Sequence, residues 1–443
     1  MKNILIIGAG RSTTSLIHYL EAKATIYKWS ITVADKDPEF FNGKISGATN
    51  AIVLDIFDEE KLNQEIFRSD IVISMLPARF HPIVAIACLK YARSLVTASY
   101  ESSEIREMNT EVKAKGLLFL NEMGVDPGID HMSAMRIINR IKEQGNVIKG
   151  FESFTGGLIA PESDNNPWHY KFTWNPRNVV LAGQGGPAKF IQEGKIKYIP
   201  YNRVFRRTEL IDIEKYGRFE GYANRDSMIY IDKYNLQDVP TVYRGTLRRP
   251  GYCRAWNVFV QLGATDDTYI MDNTENMTYK DFINSFLYYS KEDPVKTKLY
   301  HTMHIDQDSD EREKIEWLGI FDETPVGLKN ATPAQILEHI LKEKWKLSPE
   351  DRDMIVMWHK IDFEDSSTGK SKKLTSSMVV TGENQLNTAM AKCVGLPVGI
   401  VVKMILTGQL NLKGVHIPTS KEIYEPLLKE LEEFGVIFNE TVY

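Results

Sequence analysis

From Met1 to about Leu120, short apolar runs alternate with segments of helical character: ILIIG (4–8), SITVAD (30–35), NAIVLDI (50–56), DIVISML (70–76), SLVTAS (94–99) and LLFLNEMG (117–124). Near-continuous apolar runs belong to strands buried on both faces, and their alternation with helices predicts a parallel sheet covered on either side. The fold class expected is α/β, opening with a Rossmann dinucleotide-binding domain over residues 1–125.

After Asp126-Pro127-Gly128 the pattern changes. A helix is expected from Asp130 to Lys142, followed by Gly- and Pro-rich text with β-prone runs such as GFESFTGGL (150–158) and SMIYID (227–232). These predict a mixed α+β domain over 126–275, resumed at 360–384 after a helical insertion at 276–359 that carries YKDFINSFLYYS, AQILEHILKEKW and SPEDRDMIVMWHKI. A long helix from Asn384 to Thr407 and a last one in EIYEPLLKELEEFGV follow, and the segment from about 385 to 443 is expected to pack back on the first domain.

Composition narrows the function. With 443 residues, 43% of them hydrophobic, the chain has room for two or three domains. A net charge of -5 argues against a nucleic-acid binder, which carries a basic stripe, and in favour of a small-molecule partner. The three cysteines form no CxxC motif, so neither a disulfide framework nor a structural zinc site is expected, and a reducing, cytoplasmic setting fits. The N-terminus has no evident signal peptide. The longest apolar stretch, Val394 to Leu406, is broken by Gly395, Pro397, Gly399 and Lys403 and reads as too short for a membrane span.

The first strand leads into Gly8-Ala9-Gly10-Arg11-Ser12-Thr13. Gly8 permits a tight turn and Gly10 lets backbone approach a pyrophosphate at a helix N-terminus, but Thr13 stands where the fingerprint has its third glycine. Asp35 ends the second strand at a spacing that suits a ribose-binding carboxylate and favours NAD, although a turn role explains it equally. Lys36 points instead to a 2'-phosphate, so NAD or NADP stays open with a lean to NAD. Asp55 and the Leu76 of SMLP follow the third and fourth strands at the edge where nucleotides bind, where strand termination is the simpler reading.

Seven further segments share one resemblance: TASYES (97–102), NEMGVDPGIDHM (121–132), GGLIAPE (156–162), YKFTWNPRNV (170–179), ANRDS (223–227), RGTLRRPGY (244–252) and TAMAKCVGLP (388–397). In order and spacing they resemble the saccharopine reductase family, which includes the glutamate-forming saccharopine dehydrogenases. The resemblance implies a Rossmann domain, a substrate and dimerisation domain with a helical insertion, and a homodimer. It implies reduction of the imine of glutamate and 2-aminoadipate 6-semialdehyde to saccharopine by a nicotinamide hydride, or the reverse, in lysine metabolism.

Arginines match the three carboxylates of saccharopine. By similarity, Arg225 and Arg248 fill that role, with Thr246 and the Leu247 backbone adding contacts. Ser99, Tyr100 and Asp126 correspond to substrate positions, Val125, Asp126 and Pro127 border the nicotinamide, and Trp174 lies on the cofactor side. Asp126 is the leading acid/base candidate, assisted by Tyr100; the alternative is that Asp126 only shapes a turn.

Thr155 stands where relatives often carry cysteine, so no thiol is available there. His301, His304, Asp306 and Asp308 lie close in sequence, but hydride transfer to an imine needs no metal, and none is expected. A carboxynorspermidine- or homospermidine-forming enzyme, whose amine substrates want acidic partners, and a non-catalytic nucleotide sensor are the alternatives.

Overall fold

In the computed structural model, which describes residues Met1 to Tyr443, the strands are numbered along the chain. They are β1 (Asn3–Ile7), β2 (Ser30–Asp35), β3 (Asn50–Val53), β4 (Ile71–Ser74), β5 (Ser94–Thr97), β6 (Leu118–Leu120), β7 (Val147–Ile159) and β8 (Ala188–Gln192). Next come β9 (Lys195–Ile199), β10 (Thr208–Ile213), β11 (Gly217–Ala223), β12 (Val242–Arg248), β13 (Asp353–Glu364), β14 (Ser371–Thr381), β15 (Gly414–His416) and β16 (Phe438–Val442). The chain forms two units, one of residues 1–148, 352–357 and 363–443, the other of 149–351 and 358–362.

The first unit holds a seven-stranded sheet in the order β15-β6-β5-β4-β1-β2-β3, parallel at every pairing. Its central strands are apolar throughout because helices cover both faces: Ile4 to Ile7 and Ile71 to Ile73 are each at most 1% exposed. Six strands follow the doubly wound order of a Rossmann domain, and the order reverses between β1 and β4, where such sheets open a crevice for a ligand. The seventh, β15, arrives from the C-terminal segment and pairs with β6 from Gly414↔Leu118 to His416↔Leu120. A three-residue strand carries no periodic signal, so the sequence does not announce it.

The helix Ala389–Leu406 lies against the helix Thr14–Tyr27 at very close range. A Cβ on Gly395 would stand 2.8 Å from the Leu16 nitrogen, and one on Gly399 would stand 2.7 Å from the Tyr19 ring. This helix is long and apolar enough to cross a membrane, with mean hydropathy 1.8, yet 72% of it is buried inside the protein, which accounts for its composition. It starts at Ala389, later than the expected Asn384, because the Thr388 hydroxyl accepts the Ala391 N–H and the buried Asp353 carboxylate accepts those of Ala389 and Met390. In the same unit β14 pairs antiparallel with β16.

The second unit has a mixed sheet in the order β10-β11-β12-β7, with β7 parallel to β12, its other pairings antiparallel, and the β8–β9 hairpin attached to β12. Its helices Tyr279–Asn284 and Pro333–Lys344 begin with capping boxes, Thr278 with Asp281 and Thr332 with Gln335. Trp168, Tyr170, Phe172, Tyr252, Trp256 and Trp345 form an aromatic core. One expectation is corrected: Asp353 to Ile361, read as the end of the helical stretch, belongs to the strand Asp353–Glu364. Its first five positions are buried without alternation and mimic a helix, but from Met357 to Glu364 burial alternates with period two.

Candidate active site

The C-terminal ends of the parallel strands gather the first unit's candidates at one sheet edge. Gly8 takes φ +102°, and a Cβ there would lie 2.9 Å from the Met75 carbonyl carbon and 3.3 Å from the Leu76 nitrogen. Glycine is therefore required where β1 passes the loop carrying Leu76. A Cβ on Gly10 would meet nothing within 4 Å, so this glycine faces open space that a side chain would fill. Arg11, Ser12 and Thr13 form a single 3-10 turn ahead of the helix, and no side chain caps its N–H groups. An open glycine and uncapped N–H groups at a helix start fit a dinucleotide pyrophosphate. Thr13 is buried, and its hydroxyl donates to the Gly10 carbonyl at 2.7 Å, so a threonine serves where a glycine was expected.

Of the two roles open to Asp35, the structure shows the turn contacts. Its Oδ2 accepts the Ala9 N–H at 2.7 Å and its Oδ1 that of Asp37 at 3.1 Å, so the carboxylate braces the glycine turn. Lys36 beside it is exposed. Lys44, which no sequence signal picked out, is 7% exposed and donates from Nζ to the Ala9 carbonyl at 2.5 Å and the Gly10 carbonyl at 2.9 Å, holding the same turn from below. Burial lowers the pKa of this ammonium, with Asp35 opposing the shift. Asp55 is exposed and accepts the N–H of Phe57 at 3.0 Å, a turn-forming contact.

The loops after β5 and β6 carry the acid/base candidates. The Tyr100 hydroxyl donates to Asp126 Oδ1 at 3.3 Å, and Ser99, Tyr100 and Asp126 are all half-buried. Asp126-Pro127 is a cis peptide, and Gly124 N–H donates to the Pro127 carbonyl at 2.9 Å, folding Val125 to Pro127 into a tight loop. At Gly124 a Cβ would stand 2.9 Å from the Ala98 carbonyl oxygen, so the two loops touch through a glycine.

In the second unit, cross-strand neighbours share a face. Tyr222, Thr246 and Thr155 form one row across β11, β12 and β7, and Arg244 with Ser153 and Arg248 with Glu220 lie on the same side. The opposite side presents Phe154, Tyr243 and Leu247 together with Glu152 and Glu209. Arg248 is 4% exposed, with its guanidinium carbon 5.2, 5.9 and 5.2 Å from the ring centres of Tyr170, Tyr222 and Tyr252. Its Nη1 donates to the Leu247 carbonyl at 2.9 Å, its Nε has no partner, and no acidic side chain is paired with it. Glu220, across from it, gives Oε1 to the Cys253 N–H at 2.6 Å. The Thr155 hydroxyl on this face is also buried without a partner. Arg225 is exposed, in a loop after β11 with φ +49°, and Trp174 is half-buried ahead of the helix Pro176–Val180. Arg244, passed over at the sequence level, is 5% exposed and stacks 4.2 Å from the Tyr230 ring centre.

Two family models match the chain: the saccharopine dehydrogenase NADP binding domain over residues 4–120 and the saccharopine dehydrogenase C-terminal domain over 124–436. Saccharopine dehydrogenase [NADP(+), L-glutamate-forming] of Schizosaccharomyces pombe is 31% identical over 100% of this chain and 99% of its own length. The Saccharomyces cerevisiae protein of the same description is 32% identical over 99% of each. The mitochondrial alpha-aminoadipic semialdehyde synthase of Mus musculus is 33% identical over 99% of this chain, which spans only 47% of that protein. In three dimensions, apo saccharopine dehydrogenase (L-Glu forming) from Saccharomyces cerevisiae superposes with TM-score 0.89 and 30% identity over 100% of both chains. Homospermidine synthase of Legionella pneumophila, at TM-score 0.59 and 11% identity, shares the fold alone. The descriptions of the first domain and of both yeast relatives carry NADP, which supports a nicotinamide cofactor and runs against the lean to NAD drawn from Asp35. A glycine-turn Rossmann sheet followed by a mixed sheet with a buried arginine, matched along its whole length, places this chain in the saccharopine dehydrogenase family.

Proposed function

We propose that the protein interconverts saccharopine with L-glutamate and 2-aminoadipate 6-semialdehyde through an imine, as an oxidoreductase of lysine metabolism. The observation that carries this reading is Arg248, a buried cation walled by three tyrosines, with an unpartnered Nε and no acidic partner. A buried guanidinium left in that state calls for an anionic ligand, and a carboxylate meets its fork with two hydrogen bonds. Polyamine substrates of a homospermidine-type enzyme would want carboxylates in that place.

The nicotinamide cofactor supplies or takes the hydride; the chain's task is to bind, orient and move protons. Forming and opening the imine requires proton transfers at nitrogen and at a carbinolamine oxygen. Asp126, half-buried and hydrogen-bonded to the Tyr100 phenol, is the group we assign to those transfers. For the cofactor we propose NADP. The Asp35 carboxylate is engaged by two backbone N–H groups, and the exposed Lys36 is a cation available for the additional phosphate.

The test is a spectrophotometric assay with saccharopine and each oxidised cofactor. Production of reduced cofactor with saccharopine, at a kcat/KM for NADP more than about tenfold above that for NAD, roughly 1.4 kcal/mol, is the expected result. Absence of turnover with either cofactor, despite nucleotide binding, would move the protein to the sensor class. A preference for NAD would return Asp35 to the ribose.

A further inference from the structure

Three buried ionisable side chains sit behind the Tyr100–Asp126 pair, in a motif whose other residues the function has absorbed. Glu122, Asp130 and His131 are 2%, 1% and 0% exposed. Glu122 Oε1 accepts the N–H of Glu101, the residue after Tyr100, at 3.1 Å. Its Oε2 lies 2.7 Å from His131 Nε2. On the other side of the ring, Nδ1 is 3.4 Å from Asp130 Oδ2, while Asp130 Oδ1 accepts the N–H of Gly128, two residues after Asp126, at 2.6 Å. The chain of contacts therefore runs from the backbone beside Tyr100, through two carboxylates and an imidazole, to the backbone beside Asp126.

Burying three such groups is costly unless they are mutually satisfied, and a hydrophobic core would be the simpler way to stabilise two loops. Glu122 also accepts a φ of +60°, unfavourable for a residue with a side chain, to turn its carboxylate into this position. Catalytic proton transfer, by contrast, depends on fixed separation between donor and acceptor, and a displacement of about 1 Å costs on the order of a hundredfold in rate. We propose that Glu122, His131 and Asp130 are positioning residues that tie the loop after β5 to the loop after β6 and so set the distance between Tyr100 and Asp126. The network is buried and acts through Tyr100 and Asp126, the residues assigned above to the site. For its effect on turnover, this inference rests on the function proposed above.

The experiment compares the full-length protein with Glu122→Gln and His131→Gln by two readouts. The first is hydrogen exchange at the amides of Glu101 and Gly128, which needs no substrate. Exchange at both at least tenfold faster, with the β1 and β4 amides unchanged, is expected. The second is steady-state kinetics: kcat with saccharopine falls about 10- to 100-fold, KM for NADP stays within twofold, and the loss shrinks to less than threefold when introduced into Asp126→Asn. Glu122→Gln is the milder variant, keeping shape and an acceptor for Glu101 should His131→Gln fail to fold. Unchanged exchange at both amides overturns the proposal, as does a kinetic loss that multiplies fully with that of Asp126→Asn. Wild-type protein without saccharopine turnover would refute the proposed function, and the exchange comparison would then decide the network by itself.

Discussion

Arg248 and His81 show opposite ways of burying a titratable group. Arg248 keeps its charge among tyrosine rings with no acidic partner, so its replacement should be felt in substrate affinity. Arg248→Met is expected to raise KM for saccharopine by about 10- to 100-fold, the worth of a charge-assisted hydrogen bond of about 1.5–3 kcal/mol, while nucleotide affinity measured by cofactor fluorescence holds. His81 sits at the start of the helix His81–Lys90, 2% exposed, with Nδ1 2.8 Å from the Ser74 hydroxyl and Nε2 without a partner. Burial lowers its pKa to about 4. On acidification the unfolded chain takes up this proton first, so the stability contribution is full above about pH 6.5 and is lost as the pH falls towards 4. Between pH 7 and 5 the loss is about 2 kcal/mol, and thermal unfolding of wild type should show an acid sensitivity that His81→Gln lacks. At this scale, the turn of Gly8 and Gly10 was readable because it is local in the chain, whereas Asp126 was suggested by the resemblance. Lys44, Arg244 and the Glu122–His131 contact were not readable, since their partners are set by tertiary folding. Asp35 alone did not decide the cofactor, because a carboxylate at a strand end serves a turn as well as a ribose.

Among elements, the closest fit is between Thr14–Tyr27 and Ala389–Leu406, made possible by Gly395 and Gly399. The fingerprint's third glycine is usually the residue that lets the first helix pack tightly. Here Thr13 bonds the turn, and the small residues lie on a partner helix almost four hundred positions away. Gly395→Ala would place a methyl 2.8 Å from the Leu16 backbone nitrogen, so the helices must separate. Loss of about 1–3 kcal/mol is expected, read as a lower Tm together with weaker nucleotide binding. The parallel strands were legible from their unbroken apolar runs, and the helices Tyr279–Asn284 and Pro333–Lys344 from the helical text of YKDFINSFLYYS and AQILEHILKEKW. The β13 strand was obscured by its uninterrupted apolar start, and β15 and β16 were too short or too polar to register.

For the molecule as a whole, the two units set what ligands can stabilise. NADP, if held by the first unit, should stabilise it with the logarithm of its concentration, by about 2.7 kcal/mol at one hundred times Kd, read as a rising Tm, and NAD should do so less at equal concentration. A homodimer, which the family resemblance implies, would appear in light scattering at twice the 50.7 kDa chain mass, whereas a single chain mass would set that expectation aside. The α/β class and the Rossmann opening were visible in the hydrophobic pattern. How the second unit lines up Thr155, Tyr222 and Thr246 in one row was not, because that row joins strands far apart in sequence.

The seventh strand of the nucleotide sheet comes from residues 414–416, after the whole second unit has been encoded. On the ribosome, therefore, β6 emerges with an unpaired edge and must wait through nearly three hundred further residues for its neighbour. The second unit, almost continuous from 149 to 351, has its sequence available sooner. Assembly in the cell thus has a built-in order: a chain made as far as residue 351 holds the strand that carries Arg248 but no finished cofactor sheet, and the nascent β6 edge needs shielding until its neighbour is made.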